Sequence, residues 1–170
     1  AAALITTILV GKPWRAAPPA LSQYLSVDLG ADASLSRPIS GTRPLAISPD
    51  GSMLAFIGER DRVAQLYLRR FGQLHALPLV TGPVSDPFFS PDGHWVGFFS
   101  IADGKLKILT VAQSTVRVVT NVSNPAAGAW SESGLIAIAR TVGPIWSVSD
   151  TGSTAEPLTP WNPSTPGVVF

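Results

Sequence analysis

Two histidines, His75 and His94, two aspartates in identical tetrapeptides, Asp50 and Asp92, and one serine within Trp130-Ser131-Glu132-Ser133-Gly134 are where a catalytic or metal-binding reading must begin. Paired carboxylates could exchange protons with a substrate, clustered imidazoles could hold zinc, and a serine on a tight turn could be a nucleophile. The spacing supports none of these. The histidines fall at unlike points of the sequence pattern, so no paired ligand geometry follows. Ser131 lacks the leading glycine of Gly-x-Ser-x-Gly, and neither histidine has a reason to approach it. Ala102-Asp103-Gly104-Lys105 is no phosphate loop, because Phe99 stands where the first glycine belongs and Leu106 replaces the final Ser or Thr. Asn121-Val122-Ser123 fits the glycosylation sequon. No cofactor motif is present, and the expectation is a segment that binds no cofactor and performs no catalysis.

Composition narrows the field further. Of 170 residues, 45% are apolar and 14% charged, so most segments bury at least one face. Twelve basic and eleven acidic residues leave a net charge of +1, which gives no electrostatic basis for a nucleic-acid partner. Without cysteine there is no disulfide framework, thiolate or cysteine-ligated zinc. Sixteen prolines and fifteen glycines favour short strands joined by tight turns over helices.

The two identical tetrapeptides belong to a repeat. Ser48-Pro49-Asp50-Gly51 and Ser90-Pro91-Asp92-Gly93 each precede an apolar run, MLAFI at 53–57 and WVGFF at 95–99. A third, degenerate copy is Ser131-Glu132-Ser133-Gly134, followed by LIAIA at 135–139. Ser48, Ser90 and Ser131 recur at intervals of 42 and 41 residues. Each interval holds further strand-like segments: 65–69 and 76–79, then 105–109 and 116–119, then 145–148 and 156–159. Four short strands per unit of this length describe the blade of a β-propeller.

The tetrapeptide has a folding role. Ser at the first position, Pro at the second and Gly at the fourth are type I turn preferences, and the Asp side chain can accept from nearby backbone N–H groups. Ser48, Pro49, Asp50, Gly51, Ser90, Pro91, Asp92 and Gly93 are therefore read as structural turn residues, as are Ser131 and Gly134. Asp103 and Gly104 are read as the hairpin turn between the second and third strands of the second unit. The nearly unbroken apolar second strands predict cover on both faces by stacked blades. The third and fourth strands, with Arg69, Lys105, Lys107 and Arg117, belong nearer the outer rim. Trp95, Trp130 and Trp146 are expected in the core, and the mixed charges of 59–62 on a solvated hairpin.

The chain opens with eleven uncharged, largely apolar residues followed by Lys12, Trp14 and Arg15. This pattern reads as the outer end of a membrane-spanning helix, since about 20 residues are needed to cross a bilayer and Trp with basic residues marks its boundary. The expected organisation is a membrane helix end at 1–11, a linker at 12–21 and a lead-in strand and loop at 22–43. Blades follow at 44–84, 85–126 and 127–160, and the start of another at 161–170.

The units resemble TolB-type, WD-like propeller repeats. More narrowly, "QLYLRR", "DPFFSPDGHWVGFF", "DGKLK" and "IWSVSDTGSTAEPLT" resemble the extracytoplasmic propeller of bacterial membrane-anchored serine/threonine protein kinases. The resemblance covers about 22–159. It implies an all-β fold, a partial propeller of about three four-stranded blades, and a membrane-anchored, periplasmic location. It also implies a sensor or interaction role with a protein or peptide partner. The chain carries no kinase motif, and similar blades occur in TolB and in prolyl-oligopeptidase-like hydrolases. Three blades are fewer than the four to eight of a closed ring. Arg43, Asp86 and Asn124, near the starts of first strands, are the candidate partner-binding residues.

Overall fold

The computed structural model describes residues 29–37 and 43–160. The expected membrane helix end, the linker, most of the lead-in strand and the start of another blade lie outside the described residues. Among the described residues there are thirteen strands and no helix. Among the described residues no helix is long and apolar enough to cross a membrane.

The strands form three antiparallel sheets, one per sequence unit. The second is the simplest, with β6 (Val84–Phe89), β7 (Trp95–Ser100), β8 (Lys105–Thr110) and β9 (Val116–Asn121) in sequential order. The third repeats it with β10 (Pro125–Trp130), β11 (Leu135–Arg140), β12 (Trp146–Ser149) and the two-residue β13 (Glu156–Pro157). In the first, β3 (Met53–Arg60), β4 (Val63–Arg70) and β5 (Leu77–Thr81) are ordinary neighbours. Its innermost position is shared by two pieces, β1 (Ser34–Leu35) beside Gly58 and Glu59, and β2 (Leu45–Ile47) beside Leu54 to Phe56.

Strand periodicity explains the apolar runs. Alternate side chains of one strand point to opposite faces, and here both faces meet another layer. Met53, Ala55 and Ile57 join Val96 and Phe98 in a cluster between the first and second sheets. Phe88, Phe99, Leu106 and Ile108 join Ile136, Ile138 and Val148 between the second and third. Each fully buried Val, Leu, Ile, Phe or Met side chain among them contributes about 1.5–3 kcal/mol. The outer face of the first sheet, with Leu54, Phe56 and Tyr67, is covered by Leu29, Ala31 and Ala33. In β11 only one face is deeply buried, Ile136 and Ile138, while Ala137 and Ala139 on the other are half-buried. The sequence expectation of two covered faces thus fails in the third sheet, whose second strand meets a partner layer on one side among the described residues.

The repeated turns close as expected. Gly51 N donates to Ser48 O at 2.9 Å, Gly93 N to Ser90 O at 2.9 Å, and Gly134 N to Ser131 O at 3.1 Å. All three glycines have left-handed φ, 71°, 70° and 77°. The Ser48 hydroxyl donates to Asp50 Oδ1 at 2.5 Å and accepts from Met53 N at 2.9 Å, so it ties the turn to the next strand. Ser90 makes the same pair with Asp92 and Trp95. In the third copy the Ser133 hydroxyl stands 2.9 Å from that of Ser131, taking the place of the aspartate.

The hairpin holding Asp103 and Gly104 is longer than two residues, and one core expectation is corrected. The connection holding Asp103 and Gly104 spans four residues between Ser100 and Lys105, with Gly104 in the left-handed region and Asp103 outside it. A two-residue hairpin turn joins β3 and β4 at Asp61-Arg62, both at positive φ (52° and 65°), within the 59–62 segment read as a hairpin from sequence. Trp95, Trp130 and Trp146 are only half-buried. Arg117 lies over the Trp95 ring and Arg140 over Trp146, each 5.8 Å from the centroid, and the Trp130 indole donates to Asp150 Oδ2 at 3.3 Å.

Candidate interaction face at the inner strands

The innermost strand of each sheet is interrupted at the same level. In β6 the pairing with β7 shifts between Ser85 and Phe88, and in β10 it shifts between Pro125 and Ala127. At the corresponding level of the first sheet the chain leaves β1 and returns as β2. The non-glycine Asp86 (φ 47°) sits inside the β6 interruption and Asn124 (φ 51°) just before that of β10, both in the left-handed region. Asn and Asp tolerate that region better than other side chains do, and bulges re-aim side chains.

Asp86 is the most constrained of them. It is 3% exposed, its Oδ1 accepts from the Arg43 backbone N–H at 2.7 Å, and its Oδ2 has no hydrogen-bond partner. Burial pushes its carboxyl above the ordinary carboxylate value, against the opposing pull of the Arg43 N–H. Beside it lies a cleft of about 270 Å³ lined by Arg43, Leu45, Phe88, Ala127 and Gly128, drawn from the inner strands of all three sheets. Phe88 is wedged there: an added Cβ on Gly97 would stand 2.4 Å from its ring, and one on Gly128 2.2 Å. The two glycines are what let the ring lie between β7 and β10.

Of the three candidate residues named from sequence, Arg43 and Asp86 meet in this cleft. Asn124 lines a different one, of about 610 Å³, together with Ser85, Ser100 and Thr141. Asp86 lies inside β6, whereas Arg43 stands two residues before β2 and Asn124 immediately before β10. The Arg43–Asp86 bond links residues 43 apart, and no spacing signal announces it.

The other candidates take part in turns. Asp50 accepts from Ser48, Ser52 Oγ and Ser52 N, and these bonds hold its carboxyl down at about 2. Asp92 is lowered by the Ser90 hydroxyl and the His94 N–H, and its Oδ2 lies 3.1 Å from His94 Nδ1. Asp103 is lowered chiefly by Lys107 at 2.7 Å. The Ser131 hydroxyl bonds the Leu135 backbone and stands beside Ser133.

No protein-family model and no curated protein matches the chain. Solved structures do. A TolB-like protein from Agrobacterium tumefaciens aligns with TM-score 0.58 and 22% identity, over 69% of this chain and 50% of its own. TolB from Acinetobacter baumannii aligns with TM-score 0.54 and 19% identity, over 72% and 33%. The β-propeller domain of the Trilobed protease from Pyrococcus furiosus aligns with TM-score 0.50 and 18% identity, over 71% and 44%. The chain spans half, a third and under half of these three chains. At such identities the likeness establishes the fold: the three sheets are blades of a β-propeller, of the architecture seen in TolB.

Proposed function

We propose that the chain is a non-catalytic propeller segment that recognises a protein or peptide partner at its inner-strand face. The observation that carries this reading is Asp86, a buried acid held in a left-handed conformation beside a cleft where three blades converge. Strained, desolvated residues are retained where surrounding structure over-determines them, and such places concentrate at binding sites. The convergence of loops and strand ends from several blades is also where a propeller offers its most varied surface.

At a finer level, we infer the extracytoplasmic sensor of a bacterial membrane-anchored serine/threonine protein kinase. What supports this is the resemblance of the repeat segments and the apolar, Trp- and Arg-bounded stretch at 1–15. A periplasmic location and a membrane anchor belong to the same reading. The propeller of a hydrolase is the second reading, favoured by the structural likeness to the propeller domain of a protease. A parent reading frame with an upstream kinase domain supports the first, and one with an α/β-hydrolase domain and Gly-x-Ser-x-Gly the second.

The interaction reading is tested by selecting peptides from a displayed library on the chain and measuring their affinity for an Ala127→Arg variant, which fills the cleft mouth. The expected result is at least tenfold weaker binding. Selected peptides that bind the variant unchanged place recognition elsewhere.

A further inference from the structure

A third cleft lies between the second and third blades, and Asp86 is not in its lining. It is an open groove of about 620 Å³, within the 300–1,000 Å³ typical of small-molecule sites. Its floor is apolar, with Val119 and Ile138 nearly inaccessible. Its charged lining is entirely cationic, Lys105 and Arg140.

Both cations have capacity to spare. Asp103 holds Lys107 at 2.7 Å but stands 4.0 Å from Lys105 Nζ, so its charge is spent mainly on the neighbour outside the cleft lining. Arg140 donates from Nε to the Ser123 carbonyl at 3.0 Å and from Nη2 to the Ser123 hydroxyl at 2.9 Å. Those bonds fix the guanidinium plane over the Trp146 ring and leave the Nη1 edge unused. The Trp146 indole N–H, in the same lining, is buried with no acceptor. An oriented guanidinium and an ammonium beside an apolar floor make a site short of one thing, an anionic acceptor.

We propose that this cleft binds a small organic carboxylate, its apolar body on Val119 and Ile138 and its carboxylate between Lys105 and Arg140. A planar carboxylate matches the free guanidinium edge better than a spherical anion does, and the apolar floor selects an acid that carries a hydrocarbon body. This assignment is independent of the partner-binding reading at the inner strands.

The test is a titration of the full chain, followed through the indole N–H resonance of Trp146, which a Trp146→Phe spectrum assigns. The probes are 3-phenylpropionate, its neutral amide, 3-phenylpropylammonium and inorganic phosphate. The expected result is a saturable shift of the Trp146 signal with 3-phenylpropionate, and at least tenfold weaker response to the other three. Lys105→Gln and Arg140→Gln should each weaken 3-phenylpropionate at least fivefold. Lys105→Gln disturbs no contact closer than 4.0 Å to an acid, so it remains informative where Arg140→Gln unsettles the Ser123 loop. Equal response to the amide, equal response to phosphate, or no saturable shift with the carboxylate overturns the proposal.

Discussion

The backbone N–H of Arg43 donates to the carboxylate of Asp86 at 2.7 Å, joining the chain entering β2 to the interrupted inner strand of the next blade. It satisfies one oxygen of a nearly inaccessible acid and leaves the other without a partner. The cost of that arrangement depends on charge, and so on pH.

Burial raises the Asp86 carboxyl above its ordinary value, so the folded chain holds this proton more tightly than the unfolded chain does. For a group shifted in this direction, stability is greatest below the ordinary carboxylate value and declines as pH rises through the folded one. Asp86→Asn keeps a carbonyl oxygen for Arg43 and tolerates the left-handed φ, while removing the ionisation. The stability of the natural chain relative to this variant should therefore rise as pH falls from neutral toward 4. Paired urea denaturations at several pH values measure this, and a difference that does not change with pH refutes it. Asp86→Ala, which orphans the Arg43 N–H and strains the backbone, should cost about 2 kcal/mol.

Asp50 titrates in the opposite sense. The Ser48 hydroxyl, then the Ser52 hydroxyl and N–H, hold its carboxyl down at about 2. Its turn bonds are at full strength above the ordinary value of 3.8 and are lost as pH falls toward 2. Ser48→Ala removes the largest cause, so the Asp50 carboxyl carbon should titrate at visibly higher pH in NMR. An unchanged midpoint would show that Ser48 does not set it.

The blades were legible in the sequence because their signal is local. Gly51, Gly93 and Gly134 mark turns whose left-handed φ few other residues adopt, and 53–57 and 95–99 are apolar in register with them. Ser133 standing in for an aspartate was legible only as a loss, since no sequence rule says that a hydroxyl will take a carboxylate's place in this turn. The hairpin at 59–62 was legible from its mixed charges, but its two-residue turn was not, because Arg62 takes a left-handed position where such turns prefer glycine. The half-exposed tryptophans were misjudged for another reason. Hydrophobicity predicts that Trp95 and Trp146 are covered, but not that Arg117 and Arg140 supply part of the cover. Arg43 and Asp86 could be placed near first-strand starts, and their bond depends on how two blades meet. The cleft of Lys105, Arg140 and Trp146 draws on two blades, so no single repeat contains it.

The Phe88 wedge gives a steric prediction. Neither Gly97 nor Gly128 has a left-handed φ, so their small size, not backbone freedom, is what the site uses. Gly128→Ala places a methyl 2.2 Å from the Phe88 ring and should destabilise by about 1–3 kcal/mol. Phe88→Leu should cost less in the Gly128→Ala background than in the natural chain, because the smaller side chain relieves the clash. A double-mutant cycle in urea decides this; strict additivity means the ring moves aside freely.

The two faces of β11 predict unequal responses along one strand. Ile138, 1% exposed, packs with Phe88, Phe99 and Leu106 of the second blade. Truncating it to alanine removes buried methyl groups and leaves a cavity, at a cost of about 2–5 kcal/mol. Ala137 is adjacent in sequence but on the opposite face, half-buried and beyond that cluster. Ala137→Val adds volume where the described residues leave room and raises strand propensity, so it should change stability by less than about 0.5 kcal/mol. Urea midpoints of the two variants compare the faces directly. A large loss from Ala137→Val would mean that this face of the third blade is packed as tightly as the other.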